Sequence, residues 1–172
     1  MADNANFEIR SATPADAVQI AEIYRPYVED SVTSFEVEAP VPDEITVRIL
    51  KTQQQEFPYI VAAVGDEIAG YAYTSVFRAR AAYRNTVECS VYVRADYQRR
   101  GIGKALLLEL IRLSEASGKR QMIAVISDPE HSVASVTLHA SLGFRGVGVF
   151  AEIGEKFGQQ WDVLMMQRSL DE

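Results

Sequence analysis

The stretch Ser90-Val91-Tyr92-Val93-Arg94-Ala95-Asp96-Tyr97-Gln98-Arg99-Arg100-Gly101-Ile102-Gly103-Lys104-Ala105-Leu106 decides how this chain of 172 residues is read. An apolar strand enters a turn containing two small residues, and a long amphipathic helix leaves it. Gly101 and Gly103 permit close backbone approach. The first-turn N–H groups of the helix have no internal partner. With the positive end of the helix dipole and with Arg99, Arg100 and Lys104, these donors make a site for a diphosphate. The residues alone also allow a tight βα turn that is basic for no further reason. Two other phosphate loops do not fit. A Walker A loop needs glycine at Gln98 and Ser or Thr at Ala105. A dinucleotide fingerprint needs Gly or Ala at Leu106 and belongs to the first βα unit.

Before this stretch, Phe7–Arg10 alternates as a strand does. Thr13-Pro14-Ala15-Asp16 opens a helix in the manner of a capping box, with proline at its first position. That helix runs to about Val28 and turns Val18, Ala21, Ile23 (or Ile20) and Tyr24 inward. A loop with Phe35 leads to a second helix from Pro42 to near Glu56. Tyr59–Val64 and Ile68–Val76, joined by Gly65-Asp66, read as a hairpin, and Thr86–Val93 is the strand entering the turn.

Beyond the turn, a helix over Gly103–Ser117 buries Leu106, Leu107, Leu110, Ile111 and Leu113 and stops at Gly118. Met122–Ile126 is a short strand, Ser132–Leu142 a helix ended by Gly143, and Phe144–Ile153 with Trp161–Gln167 a closing pair of strands. Helices and strands mix without strict alternation. The fold class is therefore α/β in the α+β sense, a mixed sheet with helices on both faces. No repeat or linker interrupts the chain, so one domain is expected over 1–172, with a core from about 7 to 170.

Apolar residues make up 48% of the chain and charged residues 24%, a globular composition that excludes a disordered chain. The longest apolar runs are shorter than a membrane span, and the N-terminus carries no basic-then-apolar leader. A cytoplasmic protein with no membrane partner is expected. The single cysteine, Cys89, excludes a disulfide scaffold and a cysteine zinc site, and no metal is expected. Seventeen basic against twenty-four acidic residues give a net charge of −7, which argues against a nucleic-acid partner.

Gln98-x-x-Gly101-x-Gly103 after Val91-Tyr92-Val93 resembles the acetyl-CoA pyrophosphate loop of the GNAT superfamily of N-acetyltransferases. His139-Ala140-Ser141-Leu142-Gly143-Phe144 resembles that superfamily's helix-ending Leu-Gly-Phe signature. The order of elements matches too, from about Phe7 to Leu170. Phe77 through Val93, Thr33-Ser34-Phe35-Glu36, and Gly154-Glu155-Lys156-Phe157-Gly158 through Trp161-Asp162-Val163 further resemble the phosphinothricin and methionine sulfoximine N-acetyltransferases. The resemblance implies the GNAT fold, acetyl-CoA as co-substrate, and direct transfer in a ternary complex. The implied acceptor is the amino group of a small amino-acid-like molecule: phosphinothricin, methionine sulfoximine or methionine sulfone. A homodimer is also implied.

Roles follow from the same resemblance. Glu88, in an otherwise apolar strand, becomes the general base, where the residues alone allow an outward-facing glutamate. His139 stands where many members carry a tyrosine that protonates the departing thiolate. It reads as that acid, as a substrate contact, or as a packed core histidine. Val91, Tyr92 and Val93 lie along the thioester and pantetheine. Arg99, Arg100, Gly101, Ile102, Gly103 and Lys104 hold the diphosphate. Ser132 replaces a usual asparagine and is expected both to cap its helix and to reach the pantetheine. On the acceptor side, Arg78 or Arg80 grips a carboxylate. Ala81, Ala82 and Tyr83 line the pocket, and Phe35 and Phe157 help wall it. Cys89 is packing, His131 a loop residue, and Trp161 receives no substrate role. Two other readings are an acetyltransferase of a protein N-terminus or lysine, and a catalytically silent CoA-binding module. Glu88, His139 and the intact loop count against the silent module.

Overall fold

The structure is a computed structural model and describes residues 6–170. Its strands are β1 (Glu8–Ser11), β2 (Tyr59–Val64), β3 (Glu67–Val76), β4 (Thr86–Val93), β5 (Gln121–Ser127), β6 (Arg145–Lys156) and β7 (Gln159–Ser169). Its helices are α1 (Ala17–Glu29), α2 (Pro42–Gln54), α3 (Ile102–Ala116) and α4 (Val133–Ser141). All seven strands form one sheet in the order β1-β2-β3-β4-β5-β7-β6. Every neighbouring pair is antiparallel except β4 and β5, which α3 connects as a crossover. A mixed sheet with helices on both faces is what the sequence pattern predicts.

The period of two along each strand divides the core into two layers. Val87 and Cys89 of β4, with Ile60, Ala62 and Ala72, pack under Ile102, Leu106, Leu107 and Leu110 of α3. Tyr92 of β4, with Tyr59, Val61 and Tyr71, packs under α1 and α2 through Ile20, Ile23, Tyr24, Ile45 and Ile49. Gly70 lets α3 come close, because a Cβ there would lie 2.9 Å from the Tyr92 carbonyl oxygen and 3.2 Å from Leu106. The capping box forms: Asp16 accepts the Thr13 N–H at 2.8 Å and also binds Arg10 through two hydrogen bonds. It starts a 3₁₀ turn, Pro14–Asp16, that runs directly into α1. One inward residue of α1 is misassigned by the sequence pattern. Val18 is 53% exposed, while Ile20 and Ile23 are both buried, since the 3₁₀ start rotates the helix face.

The feature that positions the site is a parting of strands. β4 pairs with β3 along its length, from Val87↔Val76 to Val93↔Gly70. Its parallel pairing with β5 covers only Thr86–Cys89 against Gln121–Ala124, while β5 continues to Ser127 on β7. Beyond Cys89 the two central strands diverge and leave a gap.

Candidate active site

Backbone polarity at the gap follows from register. The Arg94 N–H donates to the Ala69 carbonyl at 2.9 Å, so the even residues of β4 exchange hydrogen bonds with β3 and the odd ones turn theirs toward β5. Tyr92 therefore offers the gap nothing. Its backbone bonds to β3 and its ring is buried among tyrosines. The carbonyl of Val93 accepts from the Tyr27 hydroxyl at 2.6 Å, and its N–H donates to the same oxygen at 3.4 Å. Val91 remains, with N–H and C=O turned into the gap beyond the last β5 pair. Of the three residues expected along the thioester, Val91 has the free backbone. Tyr27, which the sequence reading missed, closes the gap's outer end.

The loop after β4 behaves as its composition demands. Gly101 is left-handed (φ +83°) at the head of α3, and Arg99 is left-handed too (φ +60°), a backbone fold that aims the first-turn N–H groups outward. A Cβ on Gly103 would meet only Leu138 and Val93, at 3.5 Å, an ordinary contact. Packing thus does not require glycine there, whereas close approach of an anion to its N–H does. Arg99, Arg100 and Lys104 are exposed and make no salt bridge among the described residues, and Arg100 lies over the Tyr97 ring. Unpaired cations, free amides and the helix dipole fit a diphosphate. Ile102 contributes only its amide, because its side chain is 1% exposed in the α3 core.

Glu88 is paired across β3 with Ser75 and across β5 with Ile123. It is half-buried and has no hydrogen-bond partner among the described residues, and burial raises its carboxyl pKa. On its face lies a cavity of 340 Å³ between α2 and strands β2 and β3, lined by Tyr24, Arg48, Lys51, Tyr59, Tyr73 and Ser75 among others. Tyr73 pairs across the ladder with Ser90, on the Glu88 side of β4. Arg48 is held by Glu36 at 2.7 and 2.9 Å, and Glu36 also accepts from Tyr24 at 3.0 Å. The sequence reading did not find this cavity. Its signal was the alternation Tyr71-x-Tyr73 facing Tyr59, readable only once the strand register is known.

His139 lies on the opposite face. It is 6% exposed, with Nε2 3.9 Å from the Cys89 Sγ and its ring edge-on to Phe144. Its Nδ1 is 2.8 Å from the Ser135 carbonyl, which can only accept, so the neutral ring carries its proton on Nδ1. Burial lowers its pKa and keeps it neutral at neutral pH. Burial likewise pushes the Cys89 thiol up to about 12. Ser132 does not cap α4. Its hydroxyl donates instead to the Ser127 carbonyl at 2.8 Å, because the tight loop from Asp128 brings that carbonyl within reach. His131 is an exposed loop residue bound to Asp128 at 2.9 Å.

The segment Phe77–Tyr83 joins β3 to β4 at the Glu88 end. Ala81–Tyr83 form a 3₁₀ turn begun at Arg80, and both Arg78 and Arg80 are exposed. Arg78 lies 5.4 Å from the Phe77 ring and 5.9 Å from the Tyr83 ring. Phe35 sits elsewhere, on the α1–α2 loop against Gly154 of β6, while Phe157, at the β6–β7 turn, is exposed. Trp161 donates to the Lys156 carbonyl at 2.9 Å. Among the described residues no cluster of three or more His, Cys, Asp or Glu could hold a metal, and no helix is long and apolar enough to cross a membrane.

Comparison with known proteins agrees with this geometry. Residues 9–165 match the family model of the acetyltransferase (GNAT) domain. The phosphinothricin N-acetyltransferase of Alcaligenes faecalis is 39% identical, over 95% of this chain and 82% of its own. The L-methionine sulfoximine/L-methionine sulfone acetyltransferase of Pseudomonas aeruginosa is 37% identical, over 95% of this chain and 94% of its own. The crystal structure of a phosphinothricin acetyltransferase from Sinorhizobium meliloti in complex with acetyl-CoA superposes with a TM-score of 0.90. It is 41% identical and covers 95% of this chain and 88% of that one. With a parted β4–β5 pair, a basic, glycine-led helix start and a half-buried glutamate beside the gap, the chain belongs to the GNAT acetyltransferase family.

Proposed function

We propose that this acetyl-CoA-dependent N-acetyltransferase acts on the amino group of a small amino-acid-like acceptor, of the phosphinothricin, methionine sulfoximine or methionine sulfone type, by direct transfer in a ternary complex. One observation carries the reading: Glu88, half-buried and without a hydrogen-bond partner among the described residues, stands one residue before the strands part, on the face of a 340 Å³ cavity. That volume suits a small molecule. The relatives' acceptors are amino-acid analogues of this kind.

An α-amino group titrates at about 7.7–8.0 and arrives largely protonated. Glu88, held basic by burial, takes that proton directly or through one water. The amine lone pair then forms the N–C bond at the thioester carbonyl as the C–S bond breaks, its electron pair leaving on sulfur, and the acylated nitrogen releases its excess proton to solvent. The Val91 N–H donates to the carbonyl oxygen as charge develops there. Gln98–Lys104 hold the diphosphate. His139 has its one ring proton on the Ser135 side, so the thiolate takes its proton from solvent and His139 supports β4 from behind. Arg78 or Arg80 binds the acceptor carboxylate, with Ala81, Ala82 and Tyr83 lining the approach from the β3–β4 segment and Phe35 from the α1–α2 loop.

The enzyme works as a cytoplasmic homodimer. Edge strand β6 exposes Val147, Val149, Phe150 and Ile153, an apolar edge that a second copy would cover. The test is CoA release from acetyl-CoA across phosphinothricin, methionine sulfoximine, methionine sulfone, common amino acids, a polyamine and a lysine peptide. Saturable turnover confined to the first three is expected. Turnover on the peptide alone would move the acceptor to protein, and silence with acetyl-CoA bound would favour a non-catalytic module.

A further inference from the structure

β6 is exposed for most of its length, but its end turns two residues inward, Gly154 and Lys156. Lys156 is 5% exposed. Its ammonium donates to the carbonyls of Val28 at 2.6 Å, Ser31 at 2.8 Å and Ser34 at 2.6 Å. An ammonium has three N–H donors and no acceptor, so its capacity is filled. Val28 lies in the last turn of α1, where carbonyls lack helical partners and attract a cation. Ser31 and Ser34 lie in the loop that leads to α2. One buried lysine thus gathers three points of one loop onto the β6–β7 hairpin.

The rest of the loop is tied as closely. The Ser127 hydroxyl donates to the Val32 carbonyl. The Ser34 hydroxyl lies 2.6 Å from that of Tyr24. Glu36 binds Tyr24 and Arg48, two residues of the cavity wall. Phe35 is the remaining side chain, and Gly154 seats it: a Cβ at 154 would lie 2.2 Å from the Phe35 ring. The ring rests on bare backbone and stays 37% exposed. A buried charge is a poor means of stabilisation alone, since apolar replacements commonly do as well. Fixing three carbonyls at once is something an apolar side chain cannot do.

We propose that Lys156, with Gly154, is a positioning pair that latches the α1–α2 loop and thereby sets the acceptor side of the pocket, through Phe35 and the Glu36–Tyr24–Arg48 wall. The proposal rests on the acetyltransferase reading above. It makes Lys156 matter to acceptor binding and leaves acetyl-CoA binding alone, since the Gln98–Lys104 loop receives no hydrogen bond from the Lys156 ammonium.

The test pairs hydrogen exchange without substrate with steady-state kinetics on full-length protein. Lys156→Met should raise amide exchange in residues 30–36 by about tenfold or more and leave α3 unchanged. It should raise the acceptor KM about tenfold while the acetyl-CoA KM stays within about twofold. Lys156→Arg, which keeps a cation with several N–H donors, should retain more of both readouts than Lys156→Met. Gly154→Ala should also raise the acceptor KM, and adding Phe35→Leu should recover part of the loss instead of compounding it. Unchanged loop exchange in Lys156→Met, or acceptor and acetyl-CoA KM rising together, overturns the latch. Absence of wild-type turnover on every small acceptor overturns the acceptor reading, and the role of Lys156 with it.

Discussion

Glu88 and Cys89 are neighbours in the chain and face opposite layers of the molecule. On the Cys89 side, α3 and α4 close over aliphatic side chains; His139 bonds to Ser135, while the hydroxyls of Thr74 and Ser114 are buried without a hydrogen-bond partner among the described residues. On the Glu88 side, α1 and α2 cover Tyr24, Tyr27, Tyr59, Tyr71, Tyr73 and Tyr92, six of the chain's eight tyrosines, with a cavity left among them. A tyrosine presents an apolar ring and one hydroxyl. A layer of them can be buried and still offer hydrogen bonds to a ligand. The same strand therefore serves a layer that holds the fold and a layer that works on an amine.

The sharpest way to break this comparison is Glu88→Gln. Loss of a general base should lower kcat by about 10²–10⁴-fold. Wild-type kcat/KM should fall as pH drops through the raised Glu88 pKa, and that limb should vanish in the variant. Stability runs the other way. Because the folded pKa is raised, the stability that a neutral Glu88 contributes is complete below its unfolded value, near 4.5, and is lost as pH rises through the folded value. Glutamine escapes that loss, so the variant should melt no lower than wild type at neutral pH. Unchanged turnover would remove Glu88 from the chemistry. On the other layer, Leu107→Ala should cost about 2–5 kcal/mol by leaving a cavity under α3, about 5–15 °C in Tm for a chain of this size. The KM values of the protein that remains folded should hold.

The contrast between layers also marks what the sequence made legible. Elements whose signals are local were readable to within a residue or two: the Gly65-Asp66 hairpin, the apolar stripe of α3, and the Gly101 and Gly118 ends of that helix. Glu88 was readable because a charge in an apolar strand is conspicuous. What depends on register was not. Whether Val91, Tyr92 or Val93 faces the gap is decided by which residues of β4 bond to β3, and Tyr27 reaches Val93 across 66 positions of sequence. Ser132 looked like a cap because serine prefers that place, but a nearer carbonyl took its hydroxyl. The role of Lys156 was not legible, since nothing local announces three carbonyls brought from residues 28–34.

A finer test separates packing from proton transfer at His139. Phenylalanine preserves the ring contact with Phe144 and removes both nitrogens. If His139 only supports β4, His139→Phe should keep kcat within about threefold and cost about 1 kcal/mol for the lost Ser135 hydrogen bond. The basic limb of the pH–rate profile should not move. A hundredfold loss of kcat with that limb displaced would make His139 the acid, by way of a ring proton that the Ser135 bond now holds elsewhere.

The smallest expected effect sharpens the comparison on the working layer itself. Tyr73 lines the cavity, stacks on Tyr59 at 5.0 Å and pairs across the ladder with Ser90. Tyr73→Phe keeps the ring and the stack. If the tyrosine layer is only a core with polar edges, the change should lower Tm slightly and leave both KM values alone. If it is the acceptor wall, the acceptor KM should rise about fivefold, the equivalent of ~1 kcal/mol for one neutral hydrogen bond. The acetyl-CoA KM should stay where it was, because the gap and the Gln98–Lys104 loop receive nothing from this hydroxyl. Equal shifts in both would mean that the two layers are coupled through β4 and do not divide the work.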